Sequence, residues 1–330
     1  MLVADCHNDL LIGCLHLRER GVLDPFGDFW LEQLRLGGVG VQVLPVYVEE
    51  QFVGEGALRR SLMLLEEAYR IQDQHPHSVA ICLTPQELIE AVQSGRIGCV
   101  LALEGAEGVG RDLDILHTYQ RLGVRMISMT WNRRTMMADG IGERDTGGRL
   151  TTLGVEAVEA MESLGIIVDV SHLSEAGFWN VAEVAQKPFV ASHSSCRELQ
   201  DHPRNLSDDQ CLAVGGSGGF VALNAFGPFL ADDAEVGSLI AHARHASALI
   251  GADHVGLGMD FMFDLMRQVD PILGGALIDI EDIPFPEGLR RPADLASLAE
   301  CMTAELGEVD ATWIMGRTLY ERLIALLPGS

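Results

Sequence analysis

Apolar runs rich in β-branched residues alternate along this chain with stretches whose apolar positions recur at helical spacing. The runs at 2–6, 39–46, 97–103, 124–130, 166–170, 188–192, 219–223 and 254–258 are predicted strands. Residues 57–73, 113–122, 152–164, 175–185, 208–214, 235–250, 292–306 and 310–327 are predicted helices. Strand–helix alternation implies parallel pairing through crossover connections. Strands that are apolar on both faces imply burial on both sides. Eight such units in 330 residues predict an α/β protein of the (β/α)8 barrel type, a single domain over residues 1–330. A doubly wound sheet shares the alternation, but the count of strands and the polar residues at their ends favour closure. Residues 260–291 break the pattern with their own Pro and Gly. This irregular excursion suits a lid, an oligomer contact or a loosely packed loop.

Composition narrows the partners. Lys and Arg total 23 against 48 Asp and Glu, a formal net charge of −25. A surface that acidic disfavours nucleic acid and anionic membranes. No apolar run reaches the roughly 20 residues of a membrane span, and no basic-then-apolar leader opens the chain. The 7 cysteines include no C-x-x-C pair and several lie in strand-like runs. Reduced, buried thiols and a cytoplasmic location are expected.

Barrel chemistry sits where strands end, and these ends are rich in metal-ligand side chains. The first strand runs into His7 and Asp9, an H-x-D; in extended backbone two such residues face the same way and can grip one ion together. Glu104 closes LALEG, His172 closes VDVSH, His193 lies in VASHS and Asp260 in GLGMD. Carboxylates converging on a barrel mouth repel one another, and a divalent cation cures the repulsion. Mixed nitrogen and oxygen donors suit zinc first, with manganese and cobalt as alternatives. Three imidazoles and three carboxylates exceed the needs of one tetrahedral ion, so two Zn2+ with a bridging carboxylate are expected, Asp260 being left for proton transfer. A carbamylated-lysine bridge is excluded: the 124–130 strand has no lysine, and the chain's lone Lys187 precedes a strand at the opposite end. Glu104 is the remaining bridging candidate.

The motifs DxHNDL at 5–10, LxLEG at 101–105, GVRMISMTWN, DVSH at 169–172, SHSS at 192–195, RN at 204–205 and GMDF at 258–261 occur in order over nearly the whole chain. Together they resemble the membrane (renal-type) dipeptidase family of metallopeptidases, with flanking text most like its soluble bacterial branch. The resemblance implies a binuclear zinc barrel that hydrolyses dipeptides, often L-Xaa-D-Xaa, by a metal-bridging hydroxide. It implies that His7 and Asp9 hold one zinc, His172 and His193 the other, and that Glu104 bridges them. Asp260 is implied as the proton-shuttling carboxylate. Arg204 is implied as the clamp on the substrate's terminal carboxylate, for which a bidentate guanidinium is well shaped. A homodimer is compatible with the same resemblance.

Departures from the family pattern bear on specificity. Renal-type enzymes carry a histidine where this chain has Trp131, so the scissile carbonyl must find its donor in a zinc, in Asn132 or in the indole N–H. Phe226 stands where they carry a tyrosine. After Asp260 the chain continues Phe261-Met262-Phe263 instead of F-D-G, which makes the pocket more apolar. Asp5 and Asp169 are candidates to orient ligand imidazoles, although strand alternation points Asp169 away from His172. Two rival readings stay open: another two-metal barrel hydrolase, such as a deaminase or lactonase, and a non-catalytic binding descendant.

Overall fold

The computed structural model describes residues 1–268 and 283–329. It is a ring of parallel strands wrapped by helices. The strands are β1 (Val3–Asp5), β2 (Val39–Tyr47), β3 (Val79–Ile81), β4 (Ile97–Glu104), β5 (Val124–Ser128), β6 (Ile167–Asp169), β7 (Val221–Leu223) and β8 (Val255–Leu257). Their order is β6-β5-β4-β2-β1-β8-β7, every pairing parallel. The predicted 188–192 strand appears as two bridges, Asp169↔Val190 and Ala191↔Val221, which join β6 to β7 and close the ring. Fold class and closure are therefore those the pattern predicts.

One strand was not predicted. The three residues of β3 pair with Ile97–Cys99 at the start of β4, while β5 takes the same edge further along. Its pairing residues are too few to carry an alternation. The helix Leu10–Glu19 was also not predicted, because its opening LLIGC is buried on all sides and shows no periodicity.

The period-2 alternation of the strands sorts side chains between two clusters. Ala4, Val43, Val100, Ala102, Ile167 and Ala222 belong to a small inner cluster, joined by Leu319 and Leu323 of the helix Thr318–Leu326. Leu101, Leu103 and Val168 belong to the larger cluster formed with the surrounding helices. Two residues past Ala102 stands Glu104; two past Ile167 stands Asp169; two past Ala222 stands Asn224. The parity that packs the ring's interior thus delivers polar groups to its C-terminal rim. No helix among the described residues is long and apolar enough to cross a membrane. Of the predicted 260–291 excursion, residues 269–282 lie outside those described.

Candidate active site

Six polar side chains converge at that rim. His7 follows β1, Glu104 ends β4, His172 follows β6, His193 follows the 188–192 segment, and Asp260 follows β8. Asp9 occupies the N-cap position of the helix Leu10–Glu19, yet its side chain makes no capping bond. An N-cap aspartate ordinarily accepts a first-turn amide. Here the carboxylate turns into the rim, and its Oδ1 is buried with no hydrogen-bond partner. The expectation that His7 and Asp9 share one extended stretch is corrected: the strand ends at Asp5 and the chain turns at Asp9 into the helix, and the pair still meets, His7 Nε2 to Asp9 Oδ2 being 3.8 Å.

His7 Nε2 also lies 3.6 Å from Glu104 Oε2 and 3.9 Å from Asp260 Oδ1. These separations exceed a hydrogen bond, so this buried nitrogen too has no partner. On the other side, Glu104 Oε1 is 2.9 Å from His172 Nε2 and 3.5 Å from His193 Nε2. Glu104 therefore stands between the two histidine groups, one oxygen toward each. Ligand atoms of His7, Glu104 and His193, and of His7, Asp9 and Asp260, lie within 4.8 Å of one another.

The proton inventory shows what this arrangement lacks. His172 Nδ1 faces Asn132 Oδ1 at 2.8 Å, and an amide oxygen only accepts, so this nitrogen carries the hydrogen. His193 Nδ1 is 2.7 Å from Ser192 Oγ, whose proton goes to Asp169 Oδ2. That nitrogen is also a donor. Both Nε2 atoms are then bare lone pairs, and they face each other at 2.8 Å. Two lone pairs at that distance repel unless a cation lies against them. Burial, with Arg204 adding to it, holds His172 down at about 3, and burial with the His7 charge holds His193 well below its usual range. Protonation is thus a poor cure, and a divalent metal a good one.

Charge is otherwise unbalanced. Burial favours neutral His7, but Glu104, Asp9 and Asp260 outweigh it and lift it to about 10. Burial raises Asp9, and the nearby Glu104 charge adds to that. Burial likewise raises Asp260, with Glu104 reinforcing it against the pull of His7. Glu104 is held well below its usual value, since the His7 charge, with His172 and His193 beside it, overcomes its burial. A donor set of buried carboxylates and imidazoles, with His7 Nε2 and Asp9 Oδ1 left without partners, fits divalent metal.

Local backbone strain marks the same place. Among the described residues, His172 (φ 68°) and Asp260 (φ 58°) are the non-glycine residues with positive φ. Such conformations cost on the order of 1–3 kcal/mol and persist where their surroundings over-determine them. Asp5 supplies part of that determination. Its Oδ1 accepts the amides of His7 (3.3 Å) and Met259 (2.8 Å), and its Oδ2 accepts Gln42 Nε2 (2.9 Å). It fixes backbone on both sides of the site and does not touch an imidazole. Burial raises Asp5 to about 6.

The cage opens into a cavity of about 700 Å3. Arg204 lines it, buried, with Nη2 donating to the His193 carbonyl at 3.1 Å. Burial lowers its guanidinium to about 10, still cationic at neutral pH. Trp131 forms one wall, its ring 5.3 Å from Tyr47 and 5.9 Å from His172, with the Arg133 guanidinium over its face at 5.0 Å. Phe226 also lines the cavity, packed on Phe229 and Phe285. Asn132 also lines the cavity. Its amide oxygen is committed to His172, so it acts on that imidazole first. Sequence reasoning missed Asn224, which donates to Asp260 Oδ2 at 2.9 Å, and Ser192; neither carries a recognisable signal alone.

A family model described as membrane dipeptidase, peptidase family M19, matches residues 1–269. The chain belongs to the membrane dipeptidase family. Its enzyme class, metallo-dipeptidase, follows from that membership. Curated relatives include the dipeptidase verJ of Clonostachys rogersoniana, 29% identical over 70% of this chain and 63% of that one. An uncharacterised dipeptidase of Schizosaccharomyces pombe is 30% identical over 78% and 68%. Among solved structures, a metallopeptidase of Rhodobacter sphaeroides, liganded with a phosphinate mimic of the dipeptide L-Ala-D-Ala, superposes with TM-score 0.86. It is 26% identical, with 99% of each chain covered.

Proposed function

We propose that this protein is a two-zinc dipeptidase that hydrolyses dipeptides with a free C-terminal carboxylate, L-Xaa-D-Xaa among them. The observation that carries the metal part is the pair of Nε2 lone pairs of His172 and His193 at 2.8 Å, with Glu104 between them and His7. In this reading His7 and Asp9 hold one ion, His172 and His193 the other, and Glu104 bridges. When bound, the ions supply Lewis-acid polarisation of the scissile carbonyl and a water acidic enough to ionise near neutral pH.

The remaining steps belong to the chain's own side chains. Arg204, tied to the backbone by one N–H, presents its other donors to the substrate's terminal carboxylate. Asp260, fixed through Oδ2 by Asn224, takes the proton of the attacking water and passes it to the leaving amine. Asn132 holds the His172 ring. Trp131 and Phe226 shape the walls that receive the side chains and exclude water. The bound dipeptide mimic of the Rhodobacter sphaeroides relative supports the substrate class. Free cysteines, buried except for Cys301, support a reducing, cytoplasmic setting.

The test is metal analysis of the purified protein, followed by a panel of L-Xaa-L-Xaa and L-Xaa-D-Xaa dipeptides beside lactones and nucleobases. Two zinc equivalents and dipeptide turnover are expected. Turnover of lactones or nucleobases alone, or full activity after rigorous chelation, would overturn the reading.

A further inference from the structure

The metal reading uses the Nε2 faces of the rim histidines and leaves their far nitrogens to be explained. For His172 the far partner is a neutral amide, Asn132. For His193 it is a chain of groups. Ser192 Oγ lies 2.7 Å from His193 Nδ1 and donates to Asp169 Oδ2 at 2.5 Å. Asp169 Oδ1 accepts the amides of Ser171 at 2.9 Å and Ser192 at 3.0 Å. Ser171 Oγ in turn accepts the His193 amide at 3.2 Å. All four residues are buried.

A hydroxyl has a single proton to give. Here it goes to the carboxylate, so toward His193 the Ser192 oxygen can only accept. His193 is thereby restricted to the tautomer with hydrogen on Nδ1 and a lone pair on Nε2. The partial negative charge that Asp169 draws onto Ser192 Oγ also makes that lone pair more basic. Asp169 is bonded to Ser171 and Ser192, not to His172; its reach is to His193, through Ser192 on the adjoining 188–192 segment.

We propose that Ser192 and Asp169 form a positioning relay that sets the tautomer of His193 and thereby the affinity of the His172–His193 side for its cation. The proposal rests on the two-metal reading. Groups behind a metal-binding imidazole are typically worth 10–100-fold in metal affinity, so the effect is measurable on binding alone.

The experiment titrates Zn2+ into metal-free wild type, Ser192→Ala and Ser192→Thr, following each equivalent by calorimetry. The His193 tautomer is read by 15N chemical shifts in the metal-free wild type. The expected result is two equivalents for wild type, with His193 as the Nδ1–H form. Ser192→Ala should weaken one equivalent by about 10–100-fold and leave the other unchanged. Ser192→Thr, which keeps the hydroxyl, should restore it. Unchanged binding of both equivalents by a folded Ser192→Ala would overturn the relay. So would a wild-type His193 protonated on Nε2, which decides the matter even if the alanine variant does not fold. Wild type that binds no zinc would instead overturn the two-metal reading itself.

Discussion

Asn224 donates its amide hydrogen to Asp260 Oδ2 at 2.9 Å, while its own Oδ1 accepts the Phe226 amide at 2.7 Å. The fully buried amide therefore locks one oxygen of the carboxylate and leaves Oδ1 on the side of His7, 3.9 Å from Nε2. Asp260 needs such a lock, because its backbone sits at φ 58°. Replacing Asp260 with Asn should lower kcat by at least about 100-fold, the contribution of a positioned general base, with zinc content unchanged. Replacing Asn224 with Ala should lower kcat by a smaller factor, about 10-fold, since the base remains but is no longer held. Steady-state kinetics beside metal analysis checks both. Loss of zinc in the Asp260 variant would make that residue a ligand.

The ring and its rim were legible because they follow from repetition. Glu104 stands out because it ends an otherwise apolar strand of 8 residues, where a charged side chain marks the strand's end. The residues that support the rim were not legible. Asn224 lies past a three-residue strand with no motif around it, and the pairing of β7 with β8 sets it against Asp260; Ser192 lies within SHSS, but that motif does not name its partners. Asn132 was legible as a site residue, but its partner was not. It reaches His172 from 40 positions away, a contact that depends on a loop carrying no periodic signal. Asp9 misled for a related reason: H-x-D reads as a strand end, while the apolar LLIGC that follows hides a helix start.

Arg204 should act on KM. Its guanidinium is buried and donates to the His193 carbonyl, with the rest of the fork toward the cavity. A hydrogen bond to a charged group contributes about 1.5–3 kcal/mol, which corresponds to about 10- to 150-fold in KM for Arg204→Ala. Dipeptides with an amidated C-terminus should be poor substrates for the wild type and should lose little further in the variant. An equal loss on both substrate sets would remove the clamp. Arg204→Lys should not rescue fully, because an ammonium cannot present the bidentate fork.

Metal loading should release protons and favour higher pH. In the metal-free site, burial lowers His7 but its three carboxylate neighbours lift it to about 10, so at pH 7 it carries a proton that a metal must displace. Apparent zinc affinity should therefore rise with pH through the neutral range toward 10, and fall on acidification. Calorimetric titration at pH 7 in buffers of different ionisation enthalpy reads the protons released. Their absence would mean that His7 is already neutral without metal. Chelation should also lower Tm, restored by zinc addition, because the ion binds the folded chain alone.

A last prediction tests how the barrel tolerates buried charge. Glu49, two residues beyond the end of β2, is buried and bonds Arg60 of the helix Ala57–Gln74, with Nη2 to Oε1 at 2.5 Å. Arg60 also reaches Glu19 at 2.7 Å and lies 4.6 Å from the Phe52 ring centroid. The desolvation of both charges is offset only while the pair is intact. Arg60→Ala strands a buried carboxylate and should cost about 3–5 kcal/mol in denaturant unfolding. Combining Arg60→Met with Glu49→Leu removes both charges and keeps the volume, so the double variant should regain most of that loss. A double variant as unstable as the single one would show that the pair, and not the relief of stranded charge, holds this helix to the ring.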